Sequence, residues 1–213
     1  MESFARVFLA VFFGFLTLHY TAVLVGRRMR SGDPLVETGS IGTPQYRANR
    51  VFVVFRWLIF AIVWARLFVP EVDDLLFMFD MLVAPVIQLS GCLMLAIGFF
   101  VVDFTHNFMG ADWRSGAQAR SQAMLVTSGP YAVIRNPMFI GVMVAQVGFF
   151  LALPSVFTLL CTGVGVAVLL AQSRLEELVL SEQFGPIYEA YKARTPGWLP
   201  ADQGRTSYQG GDD

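Results

Sequence analysis

Two groups of residues in the C-terminal half have the types and spacing to do chemistry. The first is Gly129-Pro130-Tyr131-Ala132-Val133-Ile134-Arg135-Asn136-Pro137-Met138-Phe139-Ile140-Gly141. Its prolines follow Gly129 and Asn136, so the backbone bends twice in a short stretch. Asn136 precedes a proline and is biased out of the helical region. Pro137 suits the first turn of a helix. The stretch reads as a polar loop at the mouth of a membrane helix, with Arg135 and Asn136 at its edge. Taken alone, it is equally a helix start with an interfacial arginine.

The second group lies in QSRLEELVLSEQFGPIYEAYKARTPGWLP, residues 172–200. Glu176 and Glu177 are adjacent, and helix neighbours point ~100° apart, so one should face the bundle while the other faces water. Arg174 can reach Glu177 along the helix, which favours Glu177 as the inward acid and Glu176 as the one nearer the interface. Gly185 should end the helix and Pro186 start a new one. Tyr188 and Tyr191 share a face of that new helix, which by itself reads as an aromatic belt at a membrane interface. Paired acids opposite Arg135 and Asn136 are harder to read as packing alone.

Other chemistries lack their residues. No Gly-rich turn follows a strand pattern, and Gly163-Val164-Gly165 lies inside an apolar segment, where packing explains it. There is no HExxH and no Ser/His/Asp set. Two histidines, His19 and His106, cannot build a metal site without several carboxylates, so no metal is expected. Cys92 and Cys161 sit in apolar runs and read as small core residues. The net charge of −1 provides no field for nucleic acid.

The elements that must position these groups are membrane helices. The chain is 55% hydrophobic and 15% charged, against roughly 25% charged in soluble domains. Expected spans are Phe4–Val25, Val51–Val69, Leu82–Val102, Met138–Leu153 and Ser155–Ala171, long enough individually or as a hairpin to cross ~30 Å of hydrocarbon. Pro154 splits the last two into a helical hairpin. Gly91 and Gly98 share one face of the third span and let a neighbouring helix approach. Arg27, Arg28, Arg30, Arg47 and Arg50 bias the first loop to the cytoplasm. Residues 103–137 are read as a long polar connection, and its Arg114, Arg120 and Arg135 bias it the same way. The loop with Glu71, Asp73, Asp74 and Asp80 is assigned outside. Arg66 runs against this rule. Arg56, within the second span, can snorkel to the surface. The expected fold is all-α: an integral membrane bundle of about five transmembrane helices, N-terminus outside and C-terminus cytoplasmic, forming a single membrane domain over residues 1–213.

The two groups, in this order and spacing, resemble the isoprenylcysteine carboxyl methyltransferase superfamily, which includes phospholipid methyltransferases. The shared pattern is a GPY–RNP–M(Y/F)–G loop, a helical hairpin, a Glu-Glu pair, then FG–Y–Y and a Pro-Trp ending. It covers roughly residues 103–200, the family-like core. The resemblance implies an S-adenosylmethionine-dependent methyltransferase with a cytoplasmic cofactor pocket and a lipophilic acceptor. Carried over, Gly129, Pro130, Tyr131, Arg135, Asn136 and Pro137 would line the cofactor, with Glu176 or Glu177 opposite and Tyr188 and Tyr191 nearby. Arg135, Asn136 and Glu177 would be the catalytic set. The sequence departs from the eukaryotic carboxyl methyltransferases at Asn136, where they have histidine. It also has Gly197 where an arginine is common, so neither a prenylcysteine substrate nor a role for position 197 transfers directly. Two other readings remain: a non-catalytic membrane ligand-binding protein of this fold, and a sterol-reductase-like enzyme using a nicotinamide cofactor.

Overall fold

The computed structural model describes residues 2–31, 44–109 and 125–198. Among the described residues the chain is helical, with eight α-helices and no strand. Helix α1 spans Glu2–Ser31 and α2 Pro44–Phe68. A connecting segment holds the short α3, Val72–Leu75, and a 3-10 turn, Asp80–Leu82. Helix α4 spans Pro85–Met109, α5 Pro130–Val133, α6 Pro137–Ala152, α7 Val156–Phe184 and α8 Pro186–Arg194. Residues 32–43, with Arg114, Gln118, Arg120, Pro200 and Arg205, lie outside the described residues.

Three helices are long and apolar enough to cross a membrane: Ser3–Val23 within α1, Pro85–Met109 and Val156–Phe184. Helix α6 is apolar but has only 16 residues, about 24 Å at 1.5 Å per residue. Helix α2 carries Arg47, Arg50, Arg56 and Arg66. The chain is thus a helical membrane protein.

Several helices overrun the expected spans: α1 continues past Val25 to Ser31, and α2 already begins at Pro44, ahead of Val51. Helix α4 runs past Val102 to Met109, so the first turns of the presumed polar connection are helical. Asp103, His106 and Asn107 are polar yet carry no helix-breaking backbone, and tertiary partners hold them. The Asp103 carboxylate pairs with His19 Nε2 at 2.9 Å and accepts from Asn107 Nδ2 at 2.9 Å. Helix α7 continues from the fifth span to Phe184 and ends, as expected, at Gly185, which adopts φ 49°.

Helices α4 and α6 pack backbone to backbone. A Cβ on Gly91 would lie 2.3 Å from the Ala152 nitrogen, and one on Gly98 would lie 2.5 Å from the Gly141 oxygen. The facing glycines of α6 are crowded too, with a Cβ on Gly148 2.6 Å from the Leu95 nitrogen and one on Gly141 3.0 Å from the Gly98 oxygen. Small residues on both helices allow the close approach that membrane helices need in place of a hydrophobic driving force. Leu95, Cys92, Phe149, Ala152 and Leu153 join Leu9 of α1 and Val63 of α2 in the core. Cys92 and Cys161 are both buried and free.

The hairpin turn between α6 and α7 is locked from two sides. Ser155 caps α7, exchanging hydrogen bonds with Thr158. The Phe79 amide donates to Pro154 O at 2.9 Å, and the Val156 amide to Phe77 O at 3.1 Å. Arg66, which runs against the charge rule, is buried and ion-paired with Asp73. Arg6 binds the same carboxylate at 2.7 Å. Burial pushes the Asp73 pKa up, but the hydrogen bonds and charges of Arg66 and Arg6 outweigh burial and hold it below the usual carboxylate range.

Candidate active site

The loop and tail meet at one end of the bundle. Gly129 adopts φ 58° before α5, and a Cβ there would press into the Phe108 ring at 2.3 Å. Only glycine meets both demands. Asn136 leaves the helical region at φ −120° and Pro137 opens α6. These two bends turn Arg135 and Asn136 toward the tail.

The tail closes over them. The Arg135 amide donates to Pro196 O at 2.9 Å. Its guanidinium donates through Nη1 to Thr195 O at 2.5 Å and Lys192 O at 3.1 Å, and through Nη2 to Glu177 Oε1 at 2.8 Å. Asn136 Nδ2 donates to Gly197 O at 3.0 Å. Gly197 therefore has a tight place: a Cβ would come within 3.0 Å of Arg135 Nη2 and 3.6 Å of Glu177 Oε1. The Trp198 ring stacks on Phe139 at 6.3 Å. Thr195 to Trp198 form a strap across the mouth of α6.

Tyr191 of α8 donates its hydroxyl to Tyr131 O at 2.6 Å, and Tyr131 donates to Met109 Sδ at 2.9 Å. Tyr188 is fully buried beside Tyr191, with ring centroids 6.1 Å apart. Burial and the nearby Glu177 charge push the Tyr188 hydroxyl up to about 12, against a smaller opposing pull from Arg135. Burial pushes Tyr191 up to about 12 as well, although Arg135 and Arg194 oppose it. At neutral pH both hydroxyls are protonated donors.

A cleft lies between these parts. It is lined by Tyr131, Arg135, Asn136, Glu176, Glu177, Tyr188 and Tyr191, with Met109, Leu125, Val126 and Leu180 as its apolar wall. The apolar wall has no signature of its own in the sequence. Met109 reaches it only because α4 continues past the expected end of the span. Gly129, Pro130 and Pro137 do not line the cleft; they shape the backbone that carries Tyr131, Arg135 and Asn136 there. The cleft has a volume of about 30 Å³.

The expected arrangement of the acids is corrected. Both Glu176 and Glu177 line the cleft, and Glu176 is the more buried, at 7% exposure. Gln172 Nε2 lies 3.5 Å from Glu176 Oε1. Glu177, whose side chain is 26% exposed, pairs with Arg135 across the cleft, while Arg174 is exposed. The tertiary partner displaces the local one: Arg135 is held by two carbonyls in the orientation that meets Glu177, whereas Arg174 is a solvated neighbour whose pairing is weak. Adjacent helix positions share the cleft because it wraps around the end of α7.

Among the described residues no group of three His, Cys, Asp or Glu side chains could hold a metal ion. No curated protein and no solved structure gives a significant match. Residues 86–187 match the phospholipid methyltransferase family. They begin at the start of α4 and end in α8, so they contain the cleft's charged residues and both helices of the hairpin. The match spans a little under half of the chain, and over residues 86–187 the chain is similar to the phospholipid methyltransferase family, part of the isoprenylcysteine-carboxyl-methyltransferase-like superfamily of integral membrane methyltransferases.

Proposed function

We propose that the protein is a membrane methyltransferase that moves a methyl group from S-adenosylmethionine to a lipophilic acceptor at the cytoplasmic face. The observation that carries this is the convergence of Arg135, Asn136, Glu176 and Glu177 on one cleft inside the family-matched segment.

The residues fit such a cofactor chemically. Arg135 Nε is buried and has no hydrogen-bond partner, a donor suited to a carboxylate. The buried Glu176 suits an ammonium. The rings of Tyr131, Tyr188 and Tyr191 suit a sulfonium. When bound, the cofactor supplies an electrophilic methyl group. The chain's own task is then to orient the reactants, which can lower the barrier by up to ~7–11 kcal/mol. Small-molecule sites occupy ~300–1,000 Å³, whereas this cleft holds only about 30 Å³ as it stands. The strap from Thr195 to Trp198 must therefore shift for the cofactor to enter. A carboxylate or thiolate acceptor needs no base, whereas an amine or phenol must lose a proton. Tyr188 and Tyr191 are protonated donors and do not serve as that base.

The topology that suits this function has five spans, with α2 and α6 completing the three long apolar helices, the N-terminus outside and the C-terminus in the cytoplasm. The acidic Glu71, Asp73, Asp74 and Asp80 lie at the end of the bundle opposite the cleft, in the sense of the charge bias.

Calorimetric titration of the purified full chain with S-adenosylhomocysteine and with NADPH tests the reading. Binding of the first alone supports it. Binding of NADPH alone would point to the reductase chemistry, and binding of neither to a ligand-binding protein of this fold.

A further inference from the structure

Gln146 stands in the middle of α6, surrounded by apolar side chains on the same helix. Its Oε1 is buried and has no hydrogen-bond partner. The fold makes room for its amide: a Cβ on Gly165 of α7 would lie 2.2 Å from Gln146 Nε2. An amide oxygen left unsatisfied away from water is costly, so the unpaired Oε1 has to be explained.

Two cavities of about 240 and 200 Å³ adjoin at this residue. Both are lined by Phe13, Ile59, Val142, Gln146 and Phe149. Sharing that wall, they make one partly open chamber bounded by α1, α2, α4, α6 and α7. Its lining is almost wholly apolar. Arg56, exposed, stands at the edge of the larger cavity and Tyr20 lines the smaller. Thr162 also lines the larger one, but its hydroxyl is satisfied by Thr158 O at 2.9 Å. Water needs two to four polar partners to remain in a cavity, and the Gln146 amide alone does not supply them.

We infer that this chamber binds a lipophilic alcohol, whose apolar body fills the two cavities and whose hydroxyl pairs with the Gln146 amide. A hydroxyl is the fitting group because it both donates and accepts, so it satisfies either face of the amide. The inference stands on the chamber alone and does not depend on the methyl-transfer reading.

The test uses the full chain in phosphatidylcholine nanodiscs, with radiolabelled 1-dodecanol and dodecane as probes and empty nanodiscs as the partition control. The expected result is saturable binding of dodecanol over the control, roughly tenfold tighter than that of dodecane, as for one hydrogen bond to a buried polar group. Gln146→Leu keeps the volume and should erase that preference. Val142→Trp should fill the chamber and abolish binding of both probes. Equal binding of the two probes by the wild-type chain, or no saturable binding, overturns the inference without reference to any variant. So does a dodecanol preference that survives Gln146→Leu.

Discussion

Arg135 Nη2 donates to Glu177 Oε1 at 2.8 Å, joining the loop before α6 to the end of α7. The same guanidinium holds Lys192 O and Thr195 O at the end of α8. One side chain therefore couples the cleft's charge to the closure of the tail. Arg135→Ala should weaken S-adenosylhomocysteine binding by more than the ~1 kcal/mol of a surface pair. It should also lower the thermal midpoint. An unchanged affinity with a lowered midpoint would leave Arg135 as a clamp on the tail only.

The burial of the two acids orders their roles. Glu176→Gln should cost ~1.5–3 kcal/mol of cofactor affinity, the scale of a hydrogen bond to a charged group. Glu177→Gln should cost less affinity and more stability, because it frees Arg135. Titration calorimetry and thermal unfolding on both variants separate the two effects. A larger affinity loss at Glu177 would reverse the assignment.

The contact between α4 and α6 leaves no space for side chains. Gly98→Val must push against the Gly141 and Ala145 backbone. The helices should separate, with a loss of at least ~1–3 kcal/mol as in other overpacked sites. Gly163→Ala, where a Cβ meets nothing within 4 Å, should be neutral. Unfolding in mixed micelles compares the pair.

Asp73 makes stability depend on acid. Its folded pKa is depressed by Arg66 and Arg6. Its contribution is therefore complete above the unfolded value, ~3.9, and is lost as pH falls through the lower folded value. The wild-type chain should unfold at a higher temperature than Asp73→Asn at pH 7, and the gap should close on strong acidification. A gap that persists at pH 2 would mean that shape, not charge, holds this corner.

The proposed orientation can be checked by cysteine labelling from outside the cell. Asp73 is tied to two arginines, so the exposed Asp74 is the better position for a probe. A cysteine at Asp74 should react and one at Glu189 of α8 should not. The reverse pattern would place the cleft on the side without cytosolic cofactor. A second cytoplasmic probe position, Gln118, lies outside the described residues.

The linear sequence was enough to determine the punctuation of this chain. Pro137, Pro154, Gly185 and Pro186 act through their own backbone restrictions, so the bends they cause need no tertiary partner. The seven-residue spacing of Gly91 and Gly98 likewise announced a close helix contact, because helix geometry alone puts them on one face. Helix ends without such breakers were not legible. Helix α4 continues past Val102 through Asp103, whose carboxylate is satisfied by His19 from α1. The rotation of the acids was not legible either. Sequence distance favoured Arg174 as the partner of Glu177, but Arg135, 42 residues away, is held rigidly by the tail carbonyls and wins. The pairing of Gln146 with Gly165 belongs to the same class. Both are contacts between α6, its preceding loop and α7, and they arise only when the hairpin folds and brings distant positions to one level of the bundle.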